Sequence, residues 1–219
     1  MEIFLIIIAV LSLIYVFPII FDNQKEEKEE KENQSLKDII DLDLPDYKQE
    51  DRVNTTKRLY TAKEIFQLDN LEIFARTLYG EGRNLPADQI EKIAWVIRNR
   101  VNNNGIENYP DSYGGVCLEK YQFSCWNSLY LNELTDNQKE VRQNVLSDQV
   151  SYNNCLIIAK KVMNASEIEN PLKNVQHYVL NTDQVKISGD KIVDSPYAGW
   201  TKNLKIVDND GKGSHLFLG

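Results

Sequence analysis

Two helical periods set almost end to end, with a five-residue interruption between them, constrain this chain more than any other stretch. Leu71, Phe74, Ala75 and Leu78 recur at helical spacing behind Asp69, a favoured N-cap residue, and Glu72 follows it by three residues as in a capping box. Ile90, Ile93, Ala94, Ile97 and Val101 repeat the pattern behind Pro86, which suits a first helical position. Between the two stands Tyr79-Gly80-Glu81-Gly82-Arg83, whose glycines are expected to end the first helix. Glu81 is thereby caught at a helix C-terminus.

That position has chemical content. The last turn of a helix presents unpaired carbonyls and partial negative charge, which disfavour an ionised carboxylate. The flanking glycines leave room for a bulky ligand on both sides. A carboxyl group that keeps its proton near neutral pH can protonate a leaving oxygen, the task glycoside cleavage sets its general acid. Position alone also fits a solvated turn residue, so the remainder of the chain has to decide.

The formal charge of −8 over 219 residues excludes an electrostatic nucleic-acid binder. Ile3–Phe21 runs nineteen residues without a charged side chain, long enough to cross a bilayer. Residues 1–21 are read as a transmembrane anchor rather than a cleaved signal peptide, because no basic region precedes the run and no small-residue cleavage site follows it. Lys25, Lys28 and Lys31 lie beyond it but are interleaved with glutamates, so they orient it weakly. Residues 22–58 are mostly charged and amidated, with one apolar cluster at Leu36, Ile39, Ile40, Leu42 and Leu44. They read as a stalk, or as a short helix that packs on the body or on a protein partner. Residues 59–219 are long enough for one good core.

Within that body, Thr61 is expected to cap a brief helix reaching Leu68, and Asn102–Gly115 has the composition of a surface loop. Tyr121, Gln122, Phe123, Ser124 and Trp126 then mix flat aromatic faces with amide and hydroxyl groups, the equipment that sugar rings call for; Phe123 and Trp126 fit a core equally well. Thr135 with Gln138 makes a capping box for a helix to Leu146, and Ser151–Met163 makes another helix. The period then changes. Residues 185–193 alternate around Gly189-Asp190 as a hairpin, and strands are expected at His177–Leu180, Leu204–Val207 and His215–Leu218. Helices first and strands afterwards predict an α+β domain, mainly helical with a small antiparallel sheet.

Cys117, Cys125 and Cys155 permit at most one internal disulfide. Ser124-Cys125-Trp126 is like the run around the nucleophile of papain-type proteases, but Gln122-Phe123 stands where Cys-Gly belongs and His177 comes too early. His177 and His215 are isolated, so no metal site is expected, and no cofactor.

The ordered set Ala75-Arg76-Thr77-Leu78-Tyr79-Gly80-Glu81-Gly82-Arg83, Ile97-Arg98-Asn99-Arg100-Val101, Gln122-Phe123-Ser124, His177-Tyr178, Trp200 and Gly213-Ser214-His215-Leu216-Phe217 resembles the cell wall hydrolase family of the spore cortex-lytic enzymes, the SleB type. The resemblance covers about residues 69–219. It implies a lysozyme-like domain that cleaves peptidoglycan glycan strands between N-acetylmuramic acid and N-acetylglucosamine. It also implies Glu81 as the single catalytic acid of a lytic transglycosylase. Tyr79, Arg83, Gln122, Phe123, Ser124, Trp126, His177 and Tyr178 are then the expected sugar-binding residues. Two departures stand out: Asn84 and Leu85 follow the motif arginine where the family usually has a second acid, and the stretch from His177 to Trp200 is longer by about the hairpin. In place of a separate wall-binding module the chain has its apolar run. A membrane-anchored enzyme with an extracytoplasmic, wall-facing domain follows.

Two other readings compete. A hydrolysing muramidase would need a second carboxylate, such as Asp183 or Asp194, to activate water. A catalytically idle glycan-binding or scaffolding protein would need neither that carboxylate nor Glu81.

Overall fold

The computed structural model describes residues 56–102, 109–130, 134–196, 198–201, 203–211 and 213–219. The expected anchor, and the expected stalk up to residue 55, lie outside the described residues. Among the described residues no helix is long and apolar enough to cross a membrane. Helices precede strands, and the domain is α+β.

The centre is helix α2 (Asn70–Gly82), which follows a one-turn helix α1 (Ala62–Ile65). Asp69 caps α2 by accepting from the Glu72 N–H at 2.7 Å. Glu72 does not return the bond as a capping box would; its carboxylate takes the Arg76 guanidinium at 2.6 Å and the hydroxyl of Tyr152. Arg76 is 3% exposed and donates twice more, to the carbonyls of Val141 and Gln143. A buried cation paired with a carboxylate and two carbonyls ties α2 to a later segment of the chain, whereas the same cation unpaired would cost several kcal/mol, about 3–5.

Around α2 pack α3 (Ala87–Asn102), α4 (Tyr113–Leu118), a 3-10 turn at Ser124–Leu129, α5 (Asp136–Val141) and α6 (Gln149–Asn164). Because neighbours surround it, α2 buries Ile73, Phe74, Ala75, Thr77, Leu78 and Tyr79 on more than one face. The interior is completed by Trp95, Ile97, Val116, Phe123, Trp126, Val141 and Phe217. The three cysteines are free thiols buried in it.

The strands form two sheets. β1 (His177–Leu180), β5 (His215–Leu218) and β4 (Ile206–Asn209) make an antiparallel sheet in the order β1-β5-β4. Tyr178 lies opposite Phe217 and Leu180 opposite His215. All four residues of the central strand are buried, as its place between two neighbours requires. β2 (Lys186–Ser188) and β3 (Lys191–Asp194) form the separate hairpin, turning at Gly189 with φ of 61°. A one-turn helix α7 (Ala198–Thr201) links it to β4.

Several sequence expectations need correction. Gly80 and Gly82 do not stop α2; the helix runs through both and Arg83 caps it. Gly80 answers to packing instead, since a Cβ there would stand 2.7 Å from Cys125 Cβ and 2.8 Å from Val141 Cγ1. Tyr113–Gly115 belong to α4 rather than a loop, because Ser112 caps them by accepting from the Gly115 N–H. The expected helix to Leu146 stops at Val141, and the one expected to reach Leu68 stops at Ile65. β4 begins two residues later than expected, at Ile206, where its amide donates to the Asp190 carbonyl of the hairpin turn.

Gly80→Ala should therefore destabilise the protein, although alanine is the better helix former. The expected loss is about 1–3 kcal/mol from overpacking, read from denaturant unfolding. Unchanged stability would mean that Cys125 and Val141 yield without cost.

Candidate active site

The carboxyl of Glu81, partly buried in the last turn of α2, is met by donors from two other elements. The Ser124 hydroxyl donates to Oε1 at 3.3 Å and the Cys125 backbone N–H to the same oxygen at 3.4 Å. From β1, the Tyr178 hydroxyl donates to Oε2 at 3.4 Å. These distances are slack for hydrogen bonds, the range in which catalytic contacts often stand before substrate tightens them.

Each donor has a reason to be where it is. Tyr178 is carried on β1 opposite Phe217, with its ring edge-on to His215 at 5.1 Å. Burial, and then the adjacent Glu81 carboxylate, push its phenol well above the ordinary range, so it remains a donor at physiological pH. Ser124 and Cys125 open the 3-10 turn, and the Gln138 side chain holds the Ser124 carbonyl at 2.8 Å. Cys125 itself is no nucleophile. Burial, and then Glu81, hold its thiol far from ionisation, while burial takes Cys117 and Cys155 up to about 12.

The other expected sugar-binding residues divide. Gln122 is exposed two residues before Ser124, and its Oε1 accepts a long bond from Arg100 at 3.4 Å. Phe123 and Trp126 are each 1% exposed and offer no face to a sugar. Trp126 instead donates to Thr77 Oγ1 at 2.8 Å, and the Arg100 guanidinium lies 5.3 Å over the Phe123 ring. Of the two roles the aromatic cluster suggested, these residues take the core one. Tyr79 is likewise buried; its hydroxyl donates to Glu140 at 3.1 Å, and burial pushes the phenol up to about 12. Arg83 stacks over the Tyr79 ring and donates to Asn137 Oδ1, so its guanidinium supports the helix end. His177 precedes Tyr178 on β1, where successive side chains take opposite faces, and its ring lies 5.5 Å from Trp200. The structure therefore gathers Glu81, Ser124 and Tyr178 and leaves His177 out of that group.

Sequence reasoning missed the Cys125 N–H, since a backbone donor has no sequence letter. It also missed Asn137, whose amide donates to the Gly80 carbonyl at 2.9 Å. The Thr135–Gln138 capping box was legible, but the second bond of Gln138, to Ser124, was not.

The family model described as Cell Wall Hydrolase matches residues 86–217. The chain belongs to this family. Comparison with curated proteins and with solved structures gives no match. Membership makes the domain a cell wall hydrolase, a peptidoglycan-active enzyme that works outside the cytoplasm. The matched stretch holds Ser124, Cys125 and Tyr178 but starts after Glu81.

Tyr178→Phe keeps the ring and removes the donor to Oε2. Wall-cleaving turnover should fall roughly ten-fold or more, with little change in thermal stability, as for loss of one preorganised donor. A turnover within two-fold of wild type would remove Tyr178 from the chemistry.

His215, 8% exposed behind Tyr178, makes a second prediction. Burial lowers its pKa below the ordinary 6.5 against an opposing pull from Asp210, so the folded state favours neutral imidazole. The unfolded chain takes up the proton first. The associated stability is therefore full above pH 6.5 and is lost as pH falls below it. Denaturant midpoints should drop between about pH 6.5 and 5 in wild type and drop less in His215→Gln. Equal slopes would contradict this assignment.

Proposed function

We propose that the chain is a lytic transglycosylase of peptidoglycan in which Glu81 is the sole acid and base. One observation carries the reading: among the described residues, the partners that reach the Glu81 carboxyl from other elements are all hydrogen-bond donors, and none is a second carboxyl group. Asp194 is engaged by Lys186 at 2.8 Å on the hairpin, and Asp183 is exposed at its foot. Neither supports a role as a water-activating base beside Glu81.

The chemistry balances without water. Glu81 gives its proton to the oxygen linking N-acetylmuramic acid to N-acetylglucosamine, and the bond from that oxygen to C1 of the muramic acid breaks. The leaving sugar departs with a free hydroxyl. The C6 hydroxyl of the same muramic acid then bonds to C1, and its proton passes to the Glu81 carboxylate. The product is a 1,6-anhydro ring and the acid is restored. Ser124 and Tyr178 steady the carboxylate while it lacks its proton, and Gln122, exposed two residues before Ser124, orients sugar hydroxyls.

The wider arrangement belongs to the same proposal. Residues 1–21 anchor the protein in the membrane, 22–58 form a charged stalk open to a protein partner, and 59–219 form a lysozyme-like catalytic domain facing the wall. The nineteen uncharged residues from Ile3 to Phe21 support the anchor.

The test is mass spectrometry of fragments released from purified peptidoglycan by the full chain and by Glu81→Gln. Wild type should release muropeptides one water lighter than hydrolysis gives, and the variant should be slower by at least about a hundred-fold. Fragments of full hydrolytic mass would point to a muramidase. A variant as active as wild type would remove Glu81 from the mechanism.

A further inference from the structure

Two adjacent residues of α5, Asn137 and Gln138, each hold one peptide unit next to the Glu81 carboxyl. Gln138, 7% exposed, donates through Nε2 to the Ser124 carbonyl at 2.8 Å. That carbonyl and the Cys125 N–H belong to the same planar trans peptide, so they point in opposite directions. Fixing the carbonyl therefore fixes the N–H, which meets Glu81 Oε1 from the other side of the plane at 3.4 Å. Asn137 donates to the Gly80 carbonyl, the other end of the peptide whose N–H belongs to Glu81. This carbonyl is one of those a helix end leaves unpaired.

Both amides are held so that their NH2 groups face the site. Gln138 Oε1 accepts the Thr135 N–H at 2.9 Å, which leaves Nε2 for Ser124. Asn137 Oδ1 accepts from Arg83, which leaves Nδ2 for Gly80. The capping box that starts α5 thus does a second job. Close packing of Gly80 on Cys125 and Val141 keeps the three elements from drifting apart.

We propose that Gln138 is a positioning residue of the catalytic site, acting through the Ser124–Cys125 peptide to aim the Cys125 N–H at the carboxyl of Glu81. The proposal rests on Glu81 as the reacting group. Gln138 itself need not touch substrate.

The test uses the full chain and two variants. Gln138→Met removes the donor to Ser124 together with the acceptor of the Thr135 N–H, and leaves the bond from its own backbone N–H to the Thr135 hydroxyl. Thr135→Ala breaks the other half of the capping box, the bond from the Gln138 N–H to the Thr135 hydroxyl, but leaves Nε2 and its acceptor oxygen in place, and so reports a weakened start of α5 without loss of the Ser124 contact. The first readout is the Cys125 backbone amide resonance across the acid titration, which needs no turnover. In wild type it should move with Glu81 and cease to do so in Glu81→Gln. It should lose most of that movement in Gln138→Met and keep it in Thr135→Ala. The second readout is kinetics on a soluble peptidoglycan glycan fragment. Gln138→Met should lower kcat about ten-fold or more with KM within about two-fold, as expected for a misplaced catalytic group, while Thr135→Ala stays near wild type. A Cys125 amide that titrates normally in Gln138→Met would overturn the proposal, and so would equal kinetic losses in the two variants. An active Glu81→Gln would instead strike the reading of Glu81, leaving the amide result to judge the positioning.

Discussion

The site depends on how closely the last turn of α2 approaches its neighbours. At Gly80 there is no space for a side chain, because Cys125 and Val141 already occupy the positions a Cβ would need. The contact brings the 3-10 turn and α5 against the helix within one residue of Glu81. A carboxyl carried on a looser end would swing in solvent. Here its backbone is pinned by packing on one side and by the Asn137 amide on the other.

The same contact brings the Cys125 N–H and Ser124 to Glu81, and β1 adds Tyr178. A helix C-terminus exposes carbonyls, which repel a carboxylate. Ser124, the Cys125 N–H and Tyr178 approach from elsewhere and offset that repulsion when the proton has gone. In the proposed mechanism the group alternately gives and takes a proton and needs both conditions, since an environment favouring one form outright would stall the cycle. The large buried aromatics stand beneath this arrangement: Trp126 ties the 3-10 turn to Thr77 of α2, and Phe123 lies under Arg100, whose Nε donates to the Gln176 carbonyl just before β1.

Much of the fold was legible because it is written in short-range patterns. The Asp69, Thr61 and Thr135 caps, the apolar period of α3, the Gly189 hairpin and the strands His177–Leu180 and His215–Leu218 stand where local chemistry puts them. What was not legible depends on contacts far apart in sequence. Gly80 reads as a helix stop until Cys125 and Val141 are beside it, and Phe123 and Trp126 fit a sugar platform or a core alike until burial decides for the core. Tyr79 and Arg83 flank Glu81 in sequence, yet the helix turns them toward Glu140 and Asn137. His177 beside Tyr178 shows the same limit, because a strand sends neighbours to opposite sides.

The central claim is that one carboxyl group completes the reaction without a water molecule. It is tested most directly by digesting purified peptidoglycan with the full chain in water enriched in oxygen-18 and examining the new muramic acid ends. The account predicts anhydro ends that carry no label. Reducing ends with one heavy oxygen at C1 would show that water is the nucleophile, and would contradict a mechanism built on Glu81 alone.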